Sequence, residues 1–265
     1  MDLLVIGSSV AFMSYMLASI AILSRLFHAE GPNIVLVLSL GCVAIIAHTL
    51  TNGQYLYQQA NINFSLPNVI SLVSLLITLT VSAAALKYKV NLLLPVVYGF
   101  AGIWQLLMIF IPPSAQIPLN TEKMFLVTHI TLALISYCIL IIATLYAFQV
   151  AYINYKLKNK KLRSVSNLAP LMQVENQLFL ILTLGTLCLL LSQFSGLVFL
   201  DDLLSKERAH KTVLSLMSLT VYMIILWGHF KQGWRGHKVL VLTVIASMLL
   251  TLSYFGSRFV KEFVL

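Results

Sequence analysis

Apolar residues in this chain continue for about 20 positions at a stretch before polar ones interrupt them, the length one helix needs to cross a ~30 Å hydrocarbon core. Eight stretches reach that length, at about 3–26, 34–56, 67–86, 91–111, 124–152, 176–200, 211–230 and 238–260. Between them lie turn or polar segments: Glu30-Gly31-Pro32-Asn33, Gln58 to Asn63, Pro112-Pro113 and the basic run from Lys156 to Arg163. The stretches are continuous, not alternating, and in lipid a helix satisfies its own backbone, so helices are expected and strands are not. The expected fold is an all-α, polytopic transmembrane helix bundle of about eight spans, a single domain over residues 1–265. Only about 153–174 is long enough to be called a linker. No basic residue precedes the first stretch and no small-residue cleavage site follows it, so it reads as a first span and not a removable leader.

Composition supports lipid as the solvent. Hydrophobic residues are 60% of the chain and charged ones 9%, against roughly 25% charged in an average soluble domain. Cys42, Cys138 and Cys188 fall inside apolar runs without a CxxC pair and read as small buried hydrophobes.

Charge then gives an orientation. Taking loops alternately, one side carries Arg25, Lys87, Lys89, the basic residues from Lys156 to Arg163, Lys231, Arg235 and Lys238, against only Glu30 and Glu175. On the other side, Lys123, Lys206, Arg208, Lys211, Arg258 and Lys261 are balanced by acids. The net charge of +9 therefore falls on one face, which the positive-inside rule makes cytoplasmic, with both termini outside. A basic balance of this origin reports topology, and no nucleic-acid partner is expected.

The histidines divide by depth. His28, His229 and His237 fall in or beside cytoplasmic loops and read as interfacial polar residues. His48 lies about 21 Å along the second helix, and His129 about 9 Å below the outer surface in the fifth. In a ~30 Å core these depths nearly coincide. His210 opens the seventh helix above them. A histidine in hydrocarbon is costly and faces a partner inside the bundle. Two at one depth on separate helices suit axial ligation of haem iron by neutral imidazole. Structural polar contacts and a proton or cation path are the alternatives. Lys123, Arg208, Lys211 and Arg258 lie on the side where haem propionates would need cations. No CxxCH occurs, so a haem here would be non-covalent, of the b type.

Gln105, Tyr137, Gln193 and Tyr222 are further polar residues within spans, suited to helix–helix hydrogen bonds or to a ring nitrogen's second partner. Trp104, Trp227 and Trp234 read as interfacial anchors, and Gly196, Gly228 and Gly256 as close-packing positions. No nucleophile–base pair, intramembrane carboxylate pair or phosphate loop is present, so no enzymatic activity is expected.

The stretch HITLALISYCILIIATLYAFQVAYINYKLKNK from His129 resembles the core of the cytochrome c assembly family (CcsA, CcmC and HemX relatives), most nearly its YpjD-like branch. The likeness rests also on Ala169-Pro170-Leu171 to Glu175, on AHKTVLSLMS from Ala209, and on WGHFKQGWRGHK followed by SYFGSRFVKEF. It is densest over the last half of the chain, with an assembly-like core at about 60–263. The resemblance implies a multi-pass bacterial inner-membrane protein of cytochrome c biogenesis or haem handling. It carries His129 and His210 over as candidate iron ligands, and His48 as the second-helix histidine of the branch. Better-understood relatives present haem beneath a tryptophan-rich loop, yet PPSAQIPLNTEK and FLDDLLSKERAH contain no tryptophan. The expectation is therefore haem binding through two of His48, His129 and His210, without the transfer surface. The alternative is a non-haem accessory or regulatory subunit of a partner membrane protein such as a transporter, docked through the basic segment 156–163.

Overall fold

A computed structural model describes residues 3–26, 28, 31–58, 61–62, 65–111, 124–160, 168–199 and 209–256. Among them eight helices are long and apolar enough to cross a membrane. These are α1 (Leu3–Arg25), α2 (Ile34–Leu56), α3 (Leu66–Ala85), α4 (Leu93–Phe110), α5 (Met124–Lys158), α6 (Leu171–Phe199), α7 (Ala209–Gln232) and α8 (His237–Thr251). The all-α expectation holds, with one small addition: β1 (Tyr57–Gln58) and β2 (Asn61–Ile62) pair antiparallel beyond α2, in the polar segment between two spans.

Two boundaries depart from the hydropathy pattern, each for a local reason. The helix α5 runs on to Lys158, 35 residues in all, or ~52 Å at 1.5 Å per residue. Nothing between Tyr152 and Lys158 breaks a helix, so it continues past the hydrocarbon until Lys160 takes a positive φ of 55°. The helix α6 starts at Leu171 instead of near 176, directly after Pro170, whose carbonyl accepts the first bonds from Gln173 and Val174. Glu175, placed in a loop by its charge, thus lies inside a helix.

The chain forms two compact units, one drawn from residues 1–119 and 156–169, the other from 120–155 and 170–265. In the first, α1 packs against α2 and α4, and α3 against α4 and α2. In the second, α7 packs against α6 and α8. There the Ser136 hydroxyl of α5 donates to the Gly185 carbonyl of α6 at 3.2 Å. At its end α8 widens into a π turn, Leu252–Gly256. Large apolar side chains such as Ile20, Val35, Phe110 and Leu197 stay exposed, as a surface facing lipid requires.

Glycines mediate close approach, at Gly228 as the sequence suggested and at two positions it did not single out. A Cβ on Gly41 would collide with the Tyr98 ring, and one on Gly102 would lie 2.8 Å from Met16 and 3.2 Å from Tyr15. A Cβ on Gly228 would likewise collide with the ring of Trp234, in the connection that follows its own helix, whereas Gly256 meets only Leu252, one turn back in its own chain. We expect Gly41→Val to destabilise the protein by about 1–3 kcal/mol through overpacking, read as a lower melting temperature in detergent. An unchanged melting temperature would refute the seating of the Tyr98 ring on Gly41.

Candidate functional site

His48 is fully buried in the first unit. Its ring is held on both sides, with Nδ1 3.2 Å from the Tyr15 hydroxyl of α1 and Nε2 3.1 Å from the Ser71 hydroxyl of α3. The contacts extend outward from there. Gln105 of α4 donates from Nε2 to Ser71 Oγ at 3.1 Å, and the Tyr15 hydroxyl lies 3.3 Å from Thr78 Oγ1. Thr78 in turn donates to the Leu75 carbonyl at 2.8 Å. Both imidazole nitrogens are thus engaged by hydroxyls, and ligation of a metal would require one of these bonds to be given up.

His129 differs. Half-buried near the start of α5, it places Nδ1 2.9 Å from the Ser192 carbonyl of α6 and 3.1 Å from Ser195 Oγ. A carbonyl only accepts, so Nδ1 carries the ring proton and donates. That fixes the tautomer in which Nε2 keeps its lone pair. No partner for Nε2 occurs among the described residues. A metal-binding histidine has this form: one nitrogen oriented by a carbonyl, the other presenting its lone pair.

His210 is exposed as the second residue of α7. It borders the same end of the second unit as His129. The π turn makes that connection: Ser253 donates to the Lys211 carbonyl at 2.7 Å, while Thr251, just before it, meets the Tyr137 hydroxyl of α5 at 3.1 Å. Tyr137 lies two turns along α5 from His129, with Tyr254 and Phe255 of the π turn packed on its ring. Of the candidate propionate partners, Lys211 stands beside His210, while Lys123, Arg208 and Arg258 lie outside the described residues. Among the described residues no group of three or more His, Cys, Asp and Glu side chains converges as for a metal ion.

At the other end of the second unit, residues that the sequence left as separate segments come together. The Glu175 carboxylate, with its side chain 10% exposed, pairs with Arg235 at 3.4 Å. His229 stacks on Phe179 with ring centroids 3.3 Å apart and donates from Nδ1 to the Trp234 carbonyl at 3.1 Å. The Trp234 ring covers Gly228, and its Nε1 donates to Gln232 Oε1 at 2.8 Å. His229 was legible as a polar residue near a loop. Its aromatic partner, 50 positions away in sequence, was not.

Eight helices among the described residues long and apolar enough to cross a membrane define a class, the multi-pass membrane proteins. The family described as "Cytochrome C assembly protein" matches residues 36–265, and the chain belongs to that family. It is 42% identical over 230 residues to "Inner membrane protein YpjD" of Escherichia coli strain K12, covering 86% of this chain and 85% of the relative. The proteins of that name from E. coli O6:H1 and O157:H7 match to the same extent. No solved structure matches. The protein is accordingly a multi-pass inner-membrane protein, and the resemblance seen in its residues is a family membership.

The Glu175–Arg235 pair yields an asymmetry. Arg235 is mostly exposed, so its own contribution is small, but its loss leaves a nearly buried carboxylate without a counter-charge. We expect Arg235→Ala to cost about 1–2 kcal/mol and Glu175→Gln, which removes the charge itself, less. Melting temperatures in detergent test this, and a larger loss in Glu175→Gln would contradict it.

Proposed function

We propose that this protein holds a non-covalent b-type haem through His129, with His210 as second ligand, at the outer side of the inner membrane. The carrying observation is the Nδ1 bond of His129 to the Ser192 carbonyl, which leaves Nε2 with an available lone pair. Membership of the cytochrome c assembly family supports haem as the group concerned. The residues suit it: neutral imidazole nitrogen is a common haem ligand, and an oriented ring binds without first giving up a hydrogen bond. His48 fits less well, because both of its nitrogens are already engaged.

When bound, haem would supply the redox and ligand-exchange chemistry of its iron. The chain's own part is to orient the His129 ring and to bring His210 and the Lys211 cation to the same end of the second unit. The outer placement follows from the positive-inside charge count. Both loops that would form a haem-presenting surface lack tryptophan, which favours residence over handing on.

Protein purified in mild detergent from haem-replete cells should show a Soret band. His129→Ala should abolish it, and Ser195→Ala, which removes one partner of Nδ1 but leaves the Ser192 carbonyl, should weaken haem affinity by no more than about 10-fold. A colourless preparation that takes up no haem on titration would overturn the reading. So would a Soret band unchanged in His129→Ala.

A further inference from the structure

The connection between α7 and α8 holds more positive charge than the chain itself neutralises. Lys231, Arg235 and Lys238 fall within eight residues, and all three are exposed. Neither lysine meets a carboxylate among the described residues. Arg235 is engaged through Nε, on Glu175 at 3.4 Å, and no partner for its terminal Nη groups occurs among those residues. Two whole cations and the outer fork of a third are therefore open to a ligand.

These cations stand on a backbone that is already fixed. Gly233 and Gly236 take positive φ values of 66° and 65°, a region that glycine enters without strain. Between them, Trp234 has engaged each of its polar groups. Its main-chain N–H donates to the Gly228 carbonyl at 3.1 Å, its carbonyl accepts from His229 Nδ1 at 3.1 Å, and Nε1 donates to Gln232 at 2.8 Å. The indole rests on Gly228 of α7, and Lys238 Nζ lies over the ring, 5.9 Å from its centroid. Lys238 is thereby held beside the last turns of α7. A connection tied in this way has little backbone left to order when a ligand arrives, which lowers the cost of binding.

Next to the cations the surface is apolar. Trp227 is 55% exposed and Phe230 68%. Trp227 and Lys231 are four residues apart and Phe230 precedes Lys231, so one patch of α7 passes from aromatic to cationic within a single turn. Charge and polarity together select the occupant. A soluble anion would leave the aromatic rings bare, and a zwitterionic lipid would bring an ammonium group against the lysines. An anionic lipid satisfies both parts at once, with its phosphate among the cations and its acyl chains on the rings.

We propose that this end of the α7–α8 pair, the end that the charge count makes cytoplasmic, is a binding site for an anionic phospholipid. Lys231, Lys238 and the open fork of Arg235 hold the phosphate, and Trp227 and Phe230 carry the acyl chains. A lipid held there fastens α7 to α8 at the end of the second unit away from His129 and His210. The site is therefore independent of the haem reading.

The test titrates the full chain in mild detergent with phosphatidylglycerol or with phosphatidylcholine of the same acyl chains. Native mass spectrometry reads bound lipid, and the melting temperature reads its effect. Phosphatidylglycerol should bind in preference and raise the melting temperature more. Each lysine beside a headgroup should contribute about 5-fold in affinity, so Lys231→Ala with Lys238→Ala should weaken phosphatidylglycerol by about 25-fold and leave phosphatidylcholine unchanged. Trp227→Ala should weaken both lipids. Lys87→Ala with Lys89→Ala removes the same charge from the connection between α3 and α4, and should bind as wild type does. An equal response to the two lipids would overturn the proposal. So would an equal loss in the Lys87, Lys89 variant, because the lipid would then be answering to net charge alone. Stabilisation of the same size by inorganic phosphate would make the ligand a soluble anion and also overturn it. Any Soret band should be the same in the Lys231, Lys238 variant as in wild type, so failure of one reading leaves the other standing.

Discussion

The hydrocarbon core of a bilayer contains no water to finish a hydrogen bond, so every polar group within a span must find its partner in the protein. Most hydroxyls here solve this locally. Ser74, Thr78, Thr144 and Thr186 donate to carbonyls three or four residues back in their own helices. Such groups cost little and reveal little, because the helix that creates the problem also supplies the answer. The informative groups are those too large or too far from their own backbone to do this. His48, His129 and Gln105 each reach a different helix, and helix pairing is set around them.

The same constraint gives the two buried histidines different chemistry. They are the same residue type at similar distances from the ends of their spans. One is framed by hydroxyls that can donate or accept, so its tautomer is left to choice. The other meets a backbone carbonyl, which can only accept, so its tautomer is settled and its second nitrogen committed to a lone pair. A ring of the first kind is suited to tying its helix to two others. A ring of the second kind is suited to holding a metal. Depth alone ranked them equal; partner chemistry separates them.

This also explains what was legible beforehand. The eight spans could be read because hydropathy over about 20 residues is a property of each segment by itself. The extra turns of α5 and the early start of α6 were missed because their residues are polar yet still helix-compatible, and hydropathy ends where polarity begins. The histidines could be found, since a polar residue in an apolar run is conspicuous. Their partners could not: Ser71, Tyr15 and Ser192 look like ordinary members of their helices until packing brings them to the ring. Two close-packed glycines were missed for a related reason. Gly41 and Gly102 matter through what stands opposite them, Tyr98 and Tyr15, and no feature of the local sequence records that.

The two ends of the second unit carry the argument a step further. One end is closed by directional contacts: a carboxylate on a guanidinium, an imidazole stacked on Phe179, and an indole seated on Gly228. The other end, where His129 and His210 lie, has a helix terminus in π form, tied to α7 through a main-chain carbonyl and to α5 through paired hydroxyls. A π turn loosens the regular bonding of an α-helix and is frequent at functional sites. Directional side-chain contacts of this kind thus fall at the end away from His129 and His210. The irregular backbone falls beside the histidines that a ligand would have to approach. On the haem reading proposed above, that division would let one end admit a bulky group while the other holds the helices in register.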